Sequence, residues 1–204
     1  MTISVIVATY GDLSWARKAE KAAASARSQL TVADELIQVH GGDTLQHARN
    51  NAAAEATGTW LAFLDADDSL EPGYFDAMRK AMPRTVHALL APAIRYVDQW
   101  GNQSEAVIPN ADMNRPLYEL NRCCIGTLVP RLLFEKIGGF GPESIWEDWR
   151  TFCRCHYDEG AAIIEVPKAV YRARVSPNGR NLAVSPEGMA MYQSVRAHYA
   201  ETYG

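Results

Sequence analysis

The sequence has no long apolar run, because no window approaches the roughly 18 to 20 apolar residues that a membrane-spanning helix needs. It also lacks an excess of charge of one sign: 20 Lys and Arg face 24 Asp and Glu, which argues against a dedicated nucleic-acid-binding protein. The segment MTISVIVATYGD carries no basic leader, so we expect neither a signal peptide nor a transit peptide. These absences predict a soluble, cytoplasmic protein with no integral membrane segment and no nucleic-acid partner.

Cysteine is scarce, with four residues in the chain. Cys123 and Cys124 are adjacent, and Cys153 and Cys155 are two apart, so neither pair has the C-x2-C spacing of a zinc knuckle. We expect four reduced thiols, partly in the core, which fits a reducing compartment. With 48% hydrophobic residues among 204, one domain of this length buries about 70% of its unfolded surface without needing disulfide bonds.

The first third of the chain alternates between short apolar runs and helix-forming segments. Residues 3–9 form a continuous apolar, β-branched run, which is typical of a strand buried on both faces. Residues 35–40 and 59–64 are predicted to be the second and third strands. Residues 13–29 and 44–57, between these runs, carry good helix formers. This order predicts an α/β fold with a Rossmann-like, mostly parallel central sheet and helices on both faces.

The remainder of the chain predicts smaller elements and a small antiparallel hairpin or second sheet. We expect a helix at 72–82, a strand at 86–97 with a break at Pro92, a hairpin around 100–102, a strand at 124–129, helices at 130–138 and 145–158, strands at 161–166 and 169–175 separated by Pro167, and a last helix at 186–202. Met189, Tyr192, Val195 and Tyr199 lie near one face of this last helix. That face would pack on its own domain or form a homodimer contact.

Polar segments follow the first three predicted strands: Thr9-Tyr10-Gly11, His40-Gly41-Gly42 and Asp65-Ala66-Asp67-Asp68. In open α/β sheets, ligands bind at the carboxyl ends of the strands. Clustered carboxylates destabilise one another unless a cation neutralises them, and a hard divalent ion with oxygen ligands is the natural partner. On these residues alone, a solvated acidic turn that caps the next helix is the alternative.

Other chemistries fit the acidic run poorly. An EF-hand loop that begins at Asp65 requires Gly at its sixth position, where Leu70 stands, and usually Glu at its twelfth, where Asp76 stands. A phosphatase of the haloacid-dehalogenase type has a D-x-D-x-[TV] pattern, which DADDS approaches. That class also needs a second acidic pair after an apolar strand, whereas the pair Glu147-Asp148 lies between two tryptophans on a predicted helix. A nucleotidyltransferase needs a Gly-rich phosphate loop after the first strand, and ATYGDLS is not one.

The string ARNNAAAEATGTWLAFLDADDSLEPGYFDAM resembles the family 2 glycosyltransferases of the GT-A fold. The opening ISVIVATYGD, the block GTLVPRLLFEKIGGFGPESIWEDWR and the segment VPKAVYRAR extend this resemblance over residues 2–175, in the expected order. A D-x-D motif alone is weak evidence. A D-x-D that follows A-R-N and A-x-G and precedes an E-D-W is specific.

On the donor side, the resemblance implies a bound nucleotide-diphosphate sugar. The residues that it implies in nucleotide-sugar binding are Ala8, Thr9, Tyr10, His40, Arg49, Asp65, Ala66, Arg172 and Arg174. It further implies that Asp67, with Asp65 beside it, binds a Mn2+ or Mg2+ ion that bridges the two donor phosphates. The sequence departs from the family at two positions, since members usually have Asp where His40 stands and His where Arg174 stands. The first departure weakens any claim that the donor is a uridine nucleotide.

On the acceptor side, the resemblance implies that Asp148, in the E-D motif, is the catalytic base and that Glu147 orients it or touches the acceptor. Trp146 and Trp149 would shield Asp148 from water and raise its pKa. The alternative is an acidic pair favoured by the dipole at a helix N-terminus. The implied chemistry is a single displacement with inversion at the anomeric carbon, without a covalent intermediate.

The resemblance also implies an organisation and a set of partners. We expect one glycosyltransferase domain over 1–204, with a nucleotide-sugar-binding half at 1–100, an acceptor and catalytic half at 101–175, and a C-terminal loop and helix at 176–204. The loop SPNGRN within that last segment is expected to close over the donor. Because the Q-x-x-R-W motif of processive synthases is absent, we expect transfer of a single sugar to a glycan, a lipid-linked sugar or a protein. A non-catalytic nucleotide-sugar or glycan binder of the same fold stays open.

Overall fold

The computed structural model describes residues 1–109, 115–142, 145–175 and 186–203. Its strands are β1 (Ile3–Thr9), β2 (Glu35–His40), β3 (Trp60–Phe63), β4 (Ser69–Leu70), β5 (Ala88–Val97), β6 (Val129–Pro130) and β7 (Ala162–Arg174). Its helices are α1 (Ser14–Arg27), α2 (Leu45–Glu55), α3 (Tyr74–Ala81), α4 (Arg131–Lys136), α5 (Glu147–Cys153) and α6 (Pro186–Tyr203), and a π-helical turn (Arg154–Asp158) continues α5.

A four-stranded sheet in the order β2-β1-β3-β6 forms the centre of the molecule. Strands β1, β2 and β3 are parallel, and β6 is antiparallel to β3. Because β2 and β3 flank β1 on opposite sides, right-handed crossovers place α1 and α2 on opposite faces of the sheet. Both helices turn alanine-rich faces inward, and every residue of β1 is buried between them. The predicted α/β fold with a mostly parallel sheet is confirmed.

The carboxyl ends of the three parallel strands meet at one edge of this sheet. Thr9 and His40 are partners in the β1–β2 register. The Leu64 N–H donates to the Ile6 carbonyl at 2.9 Å, so the chain stays beside β1 until it reaches Asp65. The three polar segments that the sequence predicted to lie together therefore do lie together.

A second sheet, in the order β4-β7-β5, packs beside the first, and its composition differs from the prediction. Its long pair, β5 with β7, is parallel, whereas β4 is antiparallel to β7. The predicted antiparallel hairpin after β5 is reduced to isolated bridges at Val97–Gln103 and Ile94–Val107. A second sheet was thus expected, but the strand that pairs with β5 is β7, which lies about 70 residues further along the chain.

Strand β7 is continuous, which corrects the prediction of two strands separated by Pro167. Pro92 pairs with Val166, but the next residue, Ala93, pairs with Val170. The three residues 167–169 are therefore looped out of the ladder, and Pro167 needs no N–H for it. The predicted break at Pro92 lies opposite this bulge.

The strand predicted at 124–129 is wrong in its first part. The Thr127 N–H donates to the Cys124 carbonyl at 2.8 Å, which closes a turn, and only Val129–Pro130 joins the central sheet. All four cysteines are free and three of them are buried, as expected.

The last helix packs on its own domain, which was one of the two predicted arrangements. Val195 and Tyr199 are buried, the Tyr192 hydroxyl donates to the Glu119 carbonyl at 3.0 Å, and Met189 stays exposed. The division of the chain at residues 100 and 175 remains a prediction, and the predicted loop SPNGRN lies outside the described residues. Among the helices described here, none is both long and apolar enough to cross a membrane.

Candidate active site

The acidic run after β3 forms a turn whose carboxylates have different surroundings. The Asp68 N–H donates to the Asp65 carbonyl at 3.1 Å, which closes the turn. Asp65 and Asp68 are half-buried, Ala66 is buried, and Asp67 is exposed. Burial raises the pKa of Asp68 well above its usual range, and the negative charges of Asp65 and Asp67 raise it further. The raised pKa reflects repulsion among carboxylates that are held close together, and a bound cation would relieve that repulsion.

Tyr171, on β7, holds this turn in place. Its hydroxyl donates to Asp68 Oδ2 at 2.7 Å and accepts the Asp65 N–H at 3.2 Å. The other carboxylate oxygen of Asp68 accepts the Arg174 N–H at 2.7 Å. A Cβ on Gly126 would lie 2.3 Å from Cδ2 of the Tyr171 ring, so the ring occupies space that only glycine leaves. Strand β7 thus fixes the acidic turn at the end of β3.

Arg49, on α2, lies between the acidic turn and the start of α5. Its guanidinium donates to Asp65 Oδ1 at 2.5 Å and to Glu147 Oε1 at 2.7 Å. The Arg49 side chain is 4% exposed. Burial acts to lower the pKa of Arg49, but the two carboxylates outweigh burial and raise it. Arg49 is therefore a permanently charged buried cation that joins two acidic residues.

Asp148 lies beside Glu147 in the first turn of α5. Its Oδ1 accepts the Trp149 N–H at 2.7 Å. Burial raises the pKa of Asp148 to about 7, the neighbouring Glu147 adds to the rise, and Arg49 opposes it. This carboxylate changes charge near neutral pH, which suits a group that takes up a proton during a reaction.

Two tryptophans flank Asp148, as expected. Trp149 is buried, its indole N–H donates to the Leu117 carbonyl at 2.8 Å, and its ring stacks on Tyr192 of α6 at 5.2 Å between centroids. Trp146 is half-buried and has a left-handed backbone with φ of 63°. Its ring meets Trp149 edge-on at 6.0 Å. Aromatic rings thus enclose one side of the first turn of α5.

Thr9 and His40 form a polar pair at the adjoining strand ends. The Thr9 Oγ lies 2.9 Å from His40 Nδ1. Thr9 and Ala8 are buried, whereas His40 and Tyr10 are exposed at the rim. The structure therefore brings together all four residues that the sequence proposed for nucleobase binding.

Comparison with known proteins finds a family resemblance in the middle of the chain. Residues 35–134 match the family model for glycosyl transferase family 2. This match covers 100 of the 204 residues, just under half of the chain. A search of curated proteins returned no match.

Solved glycosyltransferase structures share the fold at low sequence identity. S. aureus TarS 1-349 in complex with UDP-GlcNAc is 15% identical, with a TM-score of 0.68 over 97% of this chain and 69% of that one. A longer S. aureus TarS structure is 17% identical, with a TM-score of 0.67 over 99% of this chain and 40% of that one. GalNAc-T7 with UDP, GalNAc and Mn2+ is 13% identical, with a TM-score of 0.63 over 96% of this chain and 47% of that one. The chain thus has the GT-A fold and spans less than half of the two longer proteins.

Arg172 and Arg174 are placed differently from the other proposed donor-site residues. Neighbouring strand residues face opposite sides, so Arg172 points away from the side that Tyr171 occupies. Its Nε lies 4.0 Å from Glu71 Oε1, which Arg95 also binds at 2.7 Å. Arg174 contributes its backbone N–H to Asp68 and is exposed. Their roles in diphosphate binding remain predictions.

The described residues fit a metal ion that is bound by few carboxylates together with the phosphates of a sugar donor. Among them, no group of three or more His, Cys, Asp or Glu side chains is arranged to hold an ion. Asp68 is engaged by Tyr171 and the Arg174 backbone, and one Asp65 oxygen by Arg49. Asp67 also interacts within the protein, but its side chain is exposed. Mg2+ is commonly bound by one or two carboxylates together with substrate phosphates. The turn matches that arrangement.

Sequence reasoning missed the residues that hold the site together. Tyr171, Gly126 and the Arg49–Glu147 pair were not foreseen. Tyr171 stands in the Y-R-A-R segment that carried the resemblance, next to the arginines that were singled out. Gly126 has no sequence signal of this kind, because its role depends on a ring 45 residues away that packs against it.

Proposed function

We propose that this chain is a metal-dependent, inverting glycosyltransferase that moves one sugar from a nucleotide-diphosphate sugar to an acceptor hydroxyl. The observation that carries the proposal is Asp148, whose pKa is raised to about 7. Asp148 adjoins Glu147, which Arg49 joins to the acidic turn. A proton acceptor and a cation-attracting turn are therefore parts of one connected structure.

Asp148 supplies the base. A hydroxyl is a weak nucleophile unless its proton is removed as it attacks, and a base whose pKa lies near the working pH does this most efficiently. The ionised Asp148 would take the acceptor proton while the hydroxyl oxygen forms the new glycosidic bond. The bond to the nucleoside diphosphate breaks on the opposite face of the sugar, which inverts the anomeric carbon without a covalent intermediate.

Asp67 and Asp65 would hold the divalent ion, Mn2+ or Mg2+, together with the donor phosphates. Such an ion neutralises charge that develops on the departing diphosphate. Without it, the carboxylates of Asp65 and Asp67 would face two phosphates, and their repulsion would weaken donor binding. GalNAc-T7, which shares the fold, was solved with Mn2+, and this supports the choice of ion.

The donor and acceptor are proposed by class. The similar structures hold UDP or UDP-GlcNAc, so uridine donors come first in a test. His40, which pairs with Thr9, stands where family members usually have Asp, and it offers an imidazole to the nucleobase. The acceptor is a glycan, a lipid-linked sugar or a protein side chain.

The test is sugar transfer across a panel of nucleotide sugars with Mn2+ and mixed acceptors, for the wild type and for Asp67→Ala and Asp148→Ala. Removing a general base costs about 10²- to 10⁴-fold, and we expect losses of that order in both variants. Asp76→Ala, which removes an exposed carboxylate on α3, is the matched control and should retain activity. Full activity in both site variants would contradict the assignment. Tight donor binding without product from any acceptor would identify a non-catalytic binder instead.

A further inference from the structure

The A-R-N segment of α2 contacts both sides of the candidate site. Arg49 donates to Asp65 and to Glu147, which lie 16 and 98 positions away in the chain. The next residue, Asn50, donates through its amide to the Phe140 carbonyl at 2.9 Å and accepts the Phe140 N–H at 3.0 Å. Two consecutive side chains of α2 therefore bind the acidic turn, the start of α5 and the segment that leads to α5.

We infer that Arg49 is a positioning residue that holds the base-bearing helix α5 at a fixed separation from the acidic turn. This inference rests on the proposed function, because it assigns Arg49 to the geometry of that reaction. Arg49 acts through Glu147, which adjoins Asp148, and through Asp65, which lies two residues from Asp67. Asn50 supports the same link by fixing Phe140.

A guanidinium is suited to this task and a single ammonium group is not. The planar fork of arginine presents several N–H donors in fixed directions, so one side chain holds two carboxylates at a defined angle. The Arg49 guanidinium also lies over the Phe140 ring, 5.2 Å from its centroid. Lysine in its place would keep the positive charge but would engage one carboxylate well at the expense of the other.

The surroundings of Arg49 argue against direct nucleotide binding, which the family resemblance implied. Its side chain is 4% exposed, and both carboxylates reach it at hydrogen-bond distance. A donor phosphate would have to displace one of these partners and leave a buried carboxylate unpaired, which is costly. Two carboxylates against one guanidinium also leave a local excess of negative charge, which repels a diphosphate.

The experiment compares Arg49→Lys, Glu147→Gln and the double variant. Donor affinity is measured by calorimetry with saturating Mn2+, and kcat by sugar transfer at saturating donor. Because a misplacement of about 1 Å costs about 10²-fold in rate, we expect Arg49→Lys to lower kcat about 100-fold while the donor Kd changes little. The losses of the two single variants should not add in the double variant, since both break one link. Asn50→Ala, which touches neither carboxylate, should lower kcat in the same direction.

Arg79→Lys is the matched control. Arg79 also pairs with a buried carboxylate, that of Asp34, but Asp34 accepts the N–H of Ile3 at the opposite end of β1. Its substitution should leave kcat unchanged and add independently to Glu147→Gln in thermal midpoint. Arg49→Lys and Glu147→Gln should instead be non-additive in thermal midpoint.

Three results would overturn the inference. A donor Kd that weakens in Arg49→Lys while kcat at saturating donor is kept would make Arg49 a donor ligand. Additive losses in kcat would remove the link to Glu147. If the wild type transfers no sugar from any donor, the proposed function fails by itself; additive thermal midpoints for Arg49 and Glu147 would then overturn the link, and non-additive midpoints would support it.

Discussion

A carboxylate serves as a general base only in its ionised form, and Asp148 loses its proton near neutral pH. Burial and the adjacent Glu147 raise its pKa to about 7 from a usual 3.8. We therefore expect kcat/KM to rise with pH through about 7 and then level off. Replacement by Asn should abolish this pH dependence together with the activity. A rate that is flat between pH 5 and 8 in the wild type would contradict Asp148 as the base.

The raised pKa of Asp148 also affects stability, which falls as the pH rises, whereas activity increases. Between the usual pKa and about 7, the folded protein holds a proton on Asp148 that the unfolded chain has released. Stability contributed by this group is therefore lost as pH rises through that window. Asp148→Asn should gain thermal midpoint relative to the wild type as the pH is raised from 5 to 8. Denaturation curves at the two pH values measure this difference without any substrate.

At the scale of the element, the start of α5 is strained. Trp146 precedes the helix with φ of 63°, a left-handed conformation that a bulky residue adopts at a cost of about 1–2 kcal/mol. Glu147, Asp148 and Trp149 follow Trp146 directly and form the first turn of α5. Strained backbone of this kind clusters at active sites, where surrounding structure enforces it.

We expect Trp146→Gly to be more stable than Trp146→Ala by about 1 kcal/mol, because glycine alone relieves the left-handed strain. Both variants lose the indole, so the comparison isolates the backbone. Trp15, in the first turn of α1, is the control: its backbone is helical, so Gly should be no more stable than Ala there. Denaturant unfolding of the four variants measures both differences. Gly no more stable than Ala at position 146 would show that Trp146 is not strained in solution.

The elements also show how far sequence reasoning reaches. Local sequence patterns predicted the bounds of β1, β2, α1 and α2 almost to the residue. They did so because a parallel strand or an alanine-rich helix can be recognised from the composition of its own segment. Strand β7 was divided in two because Pro167 is a local signal, whereas the bulge opposite Pro92 that accommodates it involves a partner strand. Family motifs singled out Asp65, Asp67, Glu147 and Asp148, whose roles in the site remain predictions. Their connection through Arg49 was not foreseen, since Glu147 lies 98 residues from Arg49 in the chain.

At the scale of the whole molecule, negative charge is concentrated at the site. The chain has a net charge of -4, and the site alone holds five acidic residues, which are Asp65, Asp67, Asp68, Glu147 and Asp148. Arg49 neutralises part of this charge. Folding therefore brings together like charges that the unfolded chain keeps apart, and a bound cation would stabilise the folded state.

This concentration predicts that Mn2+ and a nucleoside diphosphate stabilise the protein jointly. A ligand that binds the folded state at 100 times its Kd adds about 2.7 kcal/mol, which corresponds to a midpoint shift of about 5–10 °C for a chain of this size. We expect a shift of that order with both ligands present and a much smaller one with either alone, because each completes the other's site. Asp67→Asn should lose the joint shift, whereas Asp76→Asn should keep it. Equal shifts with and without Mn2+ would mean that the diphosphate binds through protein groups alone, and the acidic turn would then have no part in holding a metal.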